Sequence, residues 1–279
     1  MIKIAITGAD GLIGSRIIEI LREKFFFIPL SQAIMDITDR DAVNRVIKSI
    51  NFDIFLHLAA YTNVDKAEVE RKRAWQVNVE GTRNVFEAVF LKKKKFIYIS
   101  TDFVFDGKKD SSPFFEDSTP NPISFYGKTK YEGEKIIGNQ AMIIRISYPY
   151  RAYFEQKNDF VRRIIENLKE KKVIKMVKDS VITPTFIDDI CFALEHLLIN
   201  YSPEIFHLVG KNALSPYEAG LLIAKIFRLS KSLIKEVFYE EFYKDKAKRP
   251  QYSDIRTKKN YFYPMNNFEE GLRAIKKQL

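Results

Sequence analysis

Short, unbroken apolar runs alternate with longer amphipathic stretches along this chain, and that rhythm limits the folds open to it. The runs cover residues 2–7, 25–30, 54–58, 96–100 and 142–146 and are rich in β-branched and aromatic residues. Helical patterns lie between them at 12–24, 39–50 and 67–91. Continuous rather than alternating hydrophobicity predicts strands covered on both faces, hence a parallel sheet. Repeated β–α order predicts a doubly wound α/β (Rossmann) fold, in which ligands bind beyond the C-terminal ends of the strands.

After Tyr148 the rhythm loosens. Helices are expected over 159–169 and 186–198, and strands over 173–177 and 205–209. From Ser215 the tail reads as mostly helical, with a basic, proline-containing stretch. Residues 1–148 read as a nucleotide-binding body to which 186–209 returns. Residues 149–185 and 210–279 read as a smaller, mainly helical substrate-binding part.

The first run ends in Gly8-Ala9-Asp10-Gly11-Leu12-Ile13-Gly14, which also opens the first helical pattern. Glycines let the backbone turn tightly and approach a pyrophosphate, and free N–H groups at the helix start bind its charge. The spacing G-x-x-G-x-x-G is one residue wider than the common dinucleotide fingerprint, but the strand–turn–helix setting favours cofactor binding over an ordinary tight connection. An acid at the end of the second strand would select NAD through the ribose 2′-hydroxyl. Here that strand ends near Leu30-Ser31-Gln32, with neither an acid nor an arginine. NADP and NAD are both admitted, with a lean to NADP. Asp36, followed by Ile37, is a candidate adenine contact, with capping of the next helix as the competing role for Asp36 or Thr38. The loop Leu58-Ala59-Ala60 ends another strand with small residues, which lets backbone approach a cofactor.

Tyr126 and Lys130 stand four apart and share one face of a helical pattern. A free tyrosine is a poor acid at neutral pH; a neighbouring ammonium would lower its pKa, and the same lysine could reach ribose hydroxyls. Such pairs are usually ordinary surface residues. This one has company in Ser100-Thr101-Asp102 at the C-terminal end of a predicted strand, where a hydroxyl can stabilise a developing alkoxide. His57 lies inside a buried-strand pattern and reads as a satisfied core histidine. His196 and His207 stand alone, and no cluster has zinc-ligand spacing.

Charge and composition remove other classes. The net charge of +10 comes from lysines scattered along the chain, and the one tight run, Lys92 to Lys95, reads as a solvated loop. No nucleic-acid recognition motif is present, and an anionic cofactor and substrate suit the positive field equally well. Charged residues interrupt every apolar stretch, so no membrane span is expected. Met1 leads almost directly into a strand pattern, which predicts a cytoplasmic protein. Cys191 is single and sits in a helical pattern, as a core residue.

Taken together the segments resemble the extended short-chain dehydrogenase/reductases, and within them the dTDP-4-dehydrorhamnose reductase family. The resemblance rests on TGADGLIG at 7–14, AAYTNVDKAE at 59–68, Val77-Asn78, STDFVFDG at 100–107, Tyr126 to Lys130 with Gly133-Glu134, and Arg249-Pro250 followed by Ser253. It implies NAD(P)H-dependent reduction of the C4 ketone of a dTDP-keto-deoxysugar, in which Tyr126 donates the proton, Lys130 tunes it and holds the ribose, and Thr101 orients the carbonyl. It places Gly8, Asp10, Gly11, Leu12, Ile13, Gly14, Ser31, Asp36, Ile37, Leu58, Ala59, Ala60, Asn78 and Ser100 near the cofactor. Thr62, Val64, Thr101, Asp102, Phe103 and Tyr148 would face the sugar, with Arg249 near the nucleotide diphosphate. Position 103 departs from the family's tyrosine, and Tyr148 stands where the family has tryptophan. Ser15-Arg16 replaces the acids of the family's magnesium-linked dimer, so no metal is predicted, while a homodimer stays compatible. Two other readings are open: another nucleotide-sugar reductase or epimerase, and a non-catalytic NADP-binding subunit like that of methionine adenosyltransferase.

Overall fold

The computed structural model describes residues 1–279. Its centre is a six-stranded sheet in which every neighbouring pair runs parallel. Strand β1 (Lys3–Thr7) is followed by helix α1 (Gly14–Leu21), β2 (Phe26–Leu30), α2 (Arg40–Ser49) and β3 (Ile54–His57). Then come α3 (Val64–Val69), α4 (Arg71–Trp75), α5 (Thr82–Leu91), β4 (Lys95–Thr101), α6 (Phe125–Ile137) and β5 (Met142–Ile146). The remainder comprises β6 (Pro149–Tyr150), α7 (Phe160–Lys169), β7 (Ile174–Val177), β8 (Thr185–Phe186), α8 (Ile187–Ile199), β9 (Ile205–His207), α9 (Pro216–Phe227), β10 (Ile234–Val237), α10 (Tyr239–Phe242) and α11 (Phe268–Gln278).

The sheet order is β2-β1-β3-β4-β5-β9. Strand order reverses between β1 and β3, and an open α/β sheet binds ligands in the crevice at that switch point. The two faces of the sheet bury separate cores, which explains the unbroken apolar strands. Ile4, Ile6, Leu56 and Ile144 pack under α1 and α8, where Cys191 is fully buried. Ala5, Phe55, Phe96 and Tyr98 pack under α2, α5 and α6. A third core joins α7, α9 and α11 through Ile164, Ile165, Ile223, Phe268 and Leu272, beside Tyr150 and Phe186 from the two-stranded β6–β8 ladder.

Several expectations change. The helix expected over 67–91 is broken at Glu70, whose ψ of 43° leaves the helical region, and resumes as α4. Between α4 and α5 the chain makes a π-helical turn, Gln76–Gly81, a form common at functional sites. Neither Asp36 nor Thr38 caps α2: Asp39 does, accepting from the amides of Asp41 and Ala42. The lysine run is more than a solvated loop, because Lys92 donates to the carbonyls of Ile47, Lys48 and Ile50 at the C-terminal end of α2. The tail is less helical than its composition suggests. Strand β10 pairs with β7, and the stretch between α10 and α11 is irregular. Its backbone groups bond to other loops, as in Val181 N–H to Gln251, Tyr252 N–H to Gly107 and Ser253 N–H to Val181. Those pairings bring residues 249–255 back over the sheet.

Candidate active site

Three cavities adjoin at the C-terminal edge of the sheet. The largest, about 700 Å³, runs from the glycine turn to Tyr148 and Arg249. A second, about 560 Å³, lies across the turn beyond Gly8 and Ala60. A third, about 420 Å³, shares Tyr148, Phe160 and Arg249 with the first.

The turn is built to let backbone come close. Gly8 has φ +67°, and a Cβ there would lie 2.9 Å from the Ala59 nitrogen; a Cβ on Gly14 would lie 2.2 Å from the Gly8 carbonyl oxygen. The turn after β1 therefore packs against the Leu58–Ala59 backbone after β3 only because glycine stands at position 8. Gly8, Gly11, Leu12, Ile13, Gly14, Leu58, Ala60 and Ser100 all line the large cavity. Ser100 Oγ is buried without a hydrogen-bond partner. A buried hydroxyl left unpaired is costly, and a polar ligand in this cleft would relieve that cost. Glycine cradle and orphaned hydroxyl together fit a dinucleotide. Asp10, Ser31, Asp36, Ile37, Ala59 and Ala60 line the neighbouring cavity. The Asp36 carboxylate accepts from the amide and hydroxyl of Thr38, which holds its pKa below the ordinary value.

An arginine does reach this second cavity, although none ends β2. Arg73, on α4, lines it together with Ser31 and Gln32. It was hidden in the sequence because it belongs to a helix that follows a different strand. Asn78, which the resemblance puts near the cofactor as a support of the site's architecture, takes the supporting place. It lines none of the three cavities and is 1% exposed. The π-helical turn aims its amide inward, where Oδ1 accepts from Tyr61 N–H at 2.7 Å and Nδ2 donates to Tyr61 O and Thr129 Oγ1. It fastens α6 to the loop after β3 rather than touching a cofactor.

Helix α6 presents Tyr126 and Lys130. Ser124 caps it by accepting from Gly127 N–H at 3.1 Å. A Cβ on Gly127 would lie 2.1 Å from the Phe103 carbonyl oxygen, so glycine lets the turn after β4 press against the helix. That approach sets Phe103 edge-on to Tyr126 at 5.6 Å between centroids and leaves Thr101 and Tyr126 on the wall of one cavity. Burial raises the Tyr126 pKa, the charge of Asp102 adds to the rise, and the Thr101 hydroxyl opposes it. The expected lowering by Lys130 is absent. The lysine donates instead to Ile99 O at 2.8 Å and lies 4.0 Å over the Tyr98 ring. Its own pKa is pushed down to about 7 by burial, against the pull of Glu134.

Asp102 lies at the cleft wall, but its carboxylate is engaged from inside. Oδ1 accepts from Thr101 Oγ1 at 3.0 Å, and Oδ2 accepts from Ser147 Oγ at 3.0 Å and Ser253 Oγ at 2.5 Å. Complete burial raises its pKa while these three hydroxyls oppose the rise. It supports Thr101 instead of facing a sugar directly.

Thr62, Val64, Phe103 and Tyr148 line the large cavity. Tyr148 takes φ +39°, an uncommon conformation for a bulky residue, and stacks edge-on against Phe160. Arg249 stands at the junction with the third cavity, donating to Asp65 Oδ2 at 2.7 Å and lying 4.9 Å over Tyr243. Arg163, Lys175, Lys246, Phe242 and Tyr243 line that third cavity. Of the residues around this cavity the sequence pointed to Tyr148 and Arg249. The basic stretch 244–249 was the available signal for Lys246. His57 is fully buried, bonded to Thr7 Oγ1 at 2.7 Å, and holds no place in the cleft.

Where the family expects acids after the glycine turn, Arg16 makes a two-pronged bond to Asp188 at 2.7 Å, and Arg151 joins Glu19 to Ser15 and the Leu12 carbonyl. No helix is long and apolar enough to cross a membrane.

Parallel sheet, glycine turn and the Thr101–Tyr126–Lys130 wall define an extended short-chain dehydrogenase/reductase. Within that class the chain belongs to the RmlD substrate binding domain family, whose model matches residues 2–279. It is 31% identical over 234 residues to a dTDP-4-dehydrorhamnose reductase of Aggregatibacter actinomycetemcomitans, covering 80% of this chain and 78% of that one. The crystal structure of dTDP-4-dehydrorhamnose reductase from Bacillus anthracis in complex with NADP is 33% identical, with a TM-score of 0.92 over 100% of both chains. Methionine adenosyltransferase 2 subunit beta of Xenopus tropicalis is 28% identical over 249 residues, covering 83% of this chain and 74% of that one.

Proposed function

We propose that this chain reduces the C4 ketone of dTDP-4-dehydro-L-rhamnose to dTDP-L-rhamnose, using NADPH or NADH with preference for NADPH. One observation carries the reading: Thr101, Tyr126 and Lys130 line the same cleft as the Gly8–Gly14 turn. When bound, the reduced nicotinamide supplies the hydride that adds to C4. Tyr126 gives its phenolic proton to the carbonyl oxygen, so that ketone, hydride and proton make the new alcohol. A phenol raised by burial is present in its protonated form across neutral pH, as a proton donor requires. Thr101 would donate to the same oxygen as charge develops on it once its hydroxyl turns from Asp102, its acceptor at 3.0 Å. Lys130 holds the ribose hydroxyls, and Ser100 lies with the small Leu58 to Ala60 edge on the cofactor side.

Thr62, Val64, Phe103 and Tyr148 surround the sugar. Arg249, Lys246 and Arg163 suit a nucleotide diphosphate, and Tyr243 and Phe242 give a base a flat apolar surface. The absence of an acid at Ser31-Gln32, with Arg73 lining the same cavity, supports NADP. The relatives named dTDP-4-dehydrorhamnose reductase support the same substrate.

The test is oxidation of NADPH and NADH on adding freshly generated 4-keto-sugar nucleotide. One nicotinamide consumed per alcohol formed is expected. Product without net oxidation would mark an epimerase. A chain that turns over no nucleotide-diphospho-keto-sugar and purifies in a stable complex would be a non-catalytic subunit, a reading that the retained Thr101, Tyr126 and Lys130 weigh against.

A further inference from the structure

Lys130 is 3% exposed, yet an ammonium group needs compensation when removed from water. Its compensation comes from β4. The Nζ donates to Ile99 O at 2.8 Å and sits 4.0 Å from the centroid of the Tyr98 ring. Tyr98 is itself fully buried and is fixed from both sides. His57 stacks against it at 6.0 Å and 20° between planes. On the other side its hydroxyl fits against α6, where a Cβ on Gly133 would lie 2.4 Å away. Gly133 leaves the groove in which the ring lies beneath Lys130.

We propose that Tyr98 is a positioning residue: its ring face holds Lys130 charged and aimed along the cleft wall for the cofactor ribose. The inference rests on the role proposed for Lys130 above. A buried cation over an aromatic face is attracted by the ring's negative quadrupole, most strongly where water is excluded. The other titratable groups near the lysine are few. Glu134 and Tyr126 share its helix, His57 comes from β3 and Asp102 follows β4. His57 is held neutral, its pKa lowered to about 3 by burial and by Lys130 itself. Tyr126 is held as the neutral phenol, so Glu134 is the charge that supports the ammonium from α6. The ring supplies the rest from the sheet.

The decisive experiment keeps the shape of the ring and drains its electron density. Tyr98→Phe is compared with Tyr98→4-fluoro-, 3,5-difluoro- and 3,4,5-trifluorophenylalanine, each checked by circular dichroism. NADPH affinity is followed by fluorescence from pH 5.5 to 9.5. With Phe, affinity should fall above a pH near 7, where wild-type Lys130 loses its proton. Along the fluorinated series that limb should step downward by about one pH unit in total. Gly133→Ala, which displaces the ring by its edge, should move the limb in the same direction. A limb that stays put across a folded series would overturn the proposal. Steps in NADPH binding from a chain that reduces no keto-sugar would support Tyr98 while removing the proposed reaction.

Discussion

Ser253 donates its hydroxyl to the Asp102 carboxylate at 2.5 Å, joining residues 151 positions apart beneath the Thr101–Tyr126 wall. Thr101 and Ser147 donate to the same group, so the carboxylate fixes the direction of the Thr101 hydroxyl. Ser253→Ala removes one hydrogen bond to a charged acceptor, worth about 1.5–3 kcal/mol of folding stability. Turnover should fall while NADPH affinity is retained, because Asp102 acts on Thr101 and not on the cofactor. Equal loss of both would place Asp102 elsewhere in the machinery. Denaturant melts and NADPH titration separate the two effects.

Glu134 and Arg145 form a two-pronged pair at 2.7 and 2.9 Å, both side chains under 5% exposed. Glu134→Ala leaves the guanidinium buried without its partner and should cost about 3–5 kcal/mol. Urea unfolding gives the number. A change below about 1 kcal/mol would mean that water reaches Arg145.

Arg73 is the cation of the cavity that holds Ser31 and Gln32. Arg73→Ala should weaken NADPH binding severalfold, up to about tenfold, and leave NADH unchanged, since the two differ by the 2′-phosphate alone. Parallel titration with 2′-phospho-ADP-ribose and ADP-ribose checks the assignment. Equal weakening of both ligands would place Arg73 on the adenine or on the loop instead.

His57 has a folded pKa near 3 against an unfolded value near 6.5. Between those values the unfolded chain binds the extra proton, so stability is full above pH 6.5 and is lost as pH falls toward 3. His57→Gln should flatten the dependence of melting temperature on pH between 6.5 and 4. The slope left over combines His207, lowered to about 4 by burial, with the opposite contribution of Asp189, raised to about 6 by burial. An unchanged slope would count against a neutral, buried His57.

The central sheet was legible because its strands are covered twice, which writes itself into the sequence as unbroken apolar runs. The Gly8–Gly14 turn and the Tyr126–Lys130 pair were legible for a related reason, since each is local. What escaped was set by distance. Arg163, Tyr243 and Lys246 meet only after residues 243–267 trade backbone hydrogen bonds with loops near 107, 114 and 181, and no periodicity records such pairings. Asn78 lies in a π-helical turn and joins Tyr61 to Thr129, contacts that no helical periodicity records. The environment of Lys130 was misjudged. Its i, i+4 spacing suggested Tyr126 as the partner, whereas packing gave it Tyr98 and Ile99 from the strand below.

The account depends most on Tyr126 as the proton donor to a ketone reduced in this cleft. Tyr126→Phe, assayed for NADPH oxidation with the 4-keto-sugar nucleotide and for NADPH binding, tests it directly. Turnover should fall by about 10²–10⁴-fold with NADPH affinity within about twofold of wild type. Turnover at the wild-type rate in that variant would contradict the assignment.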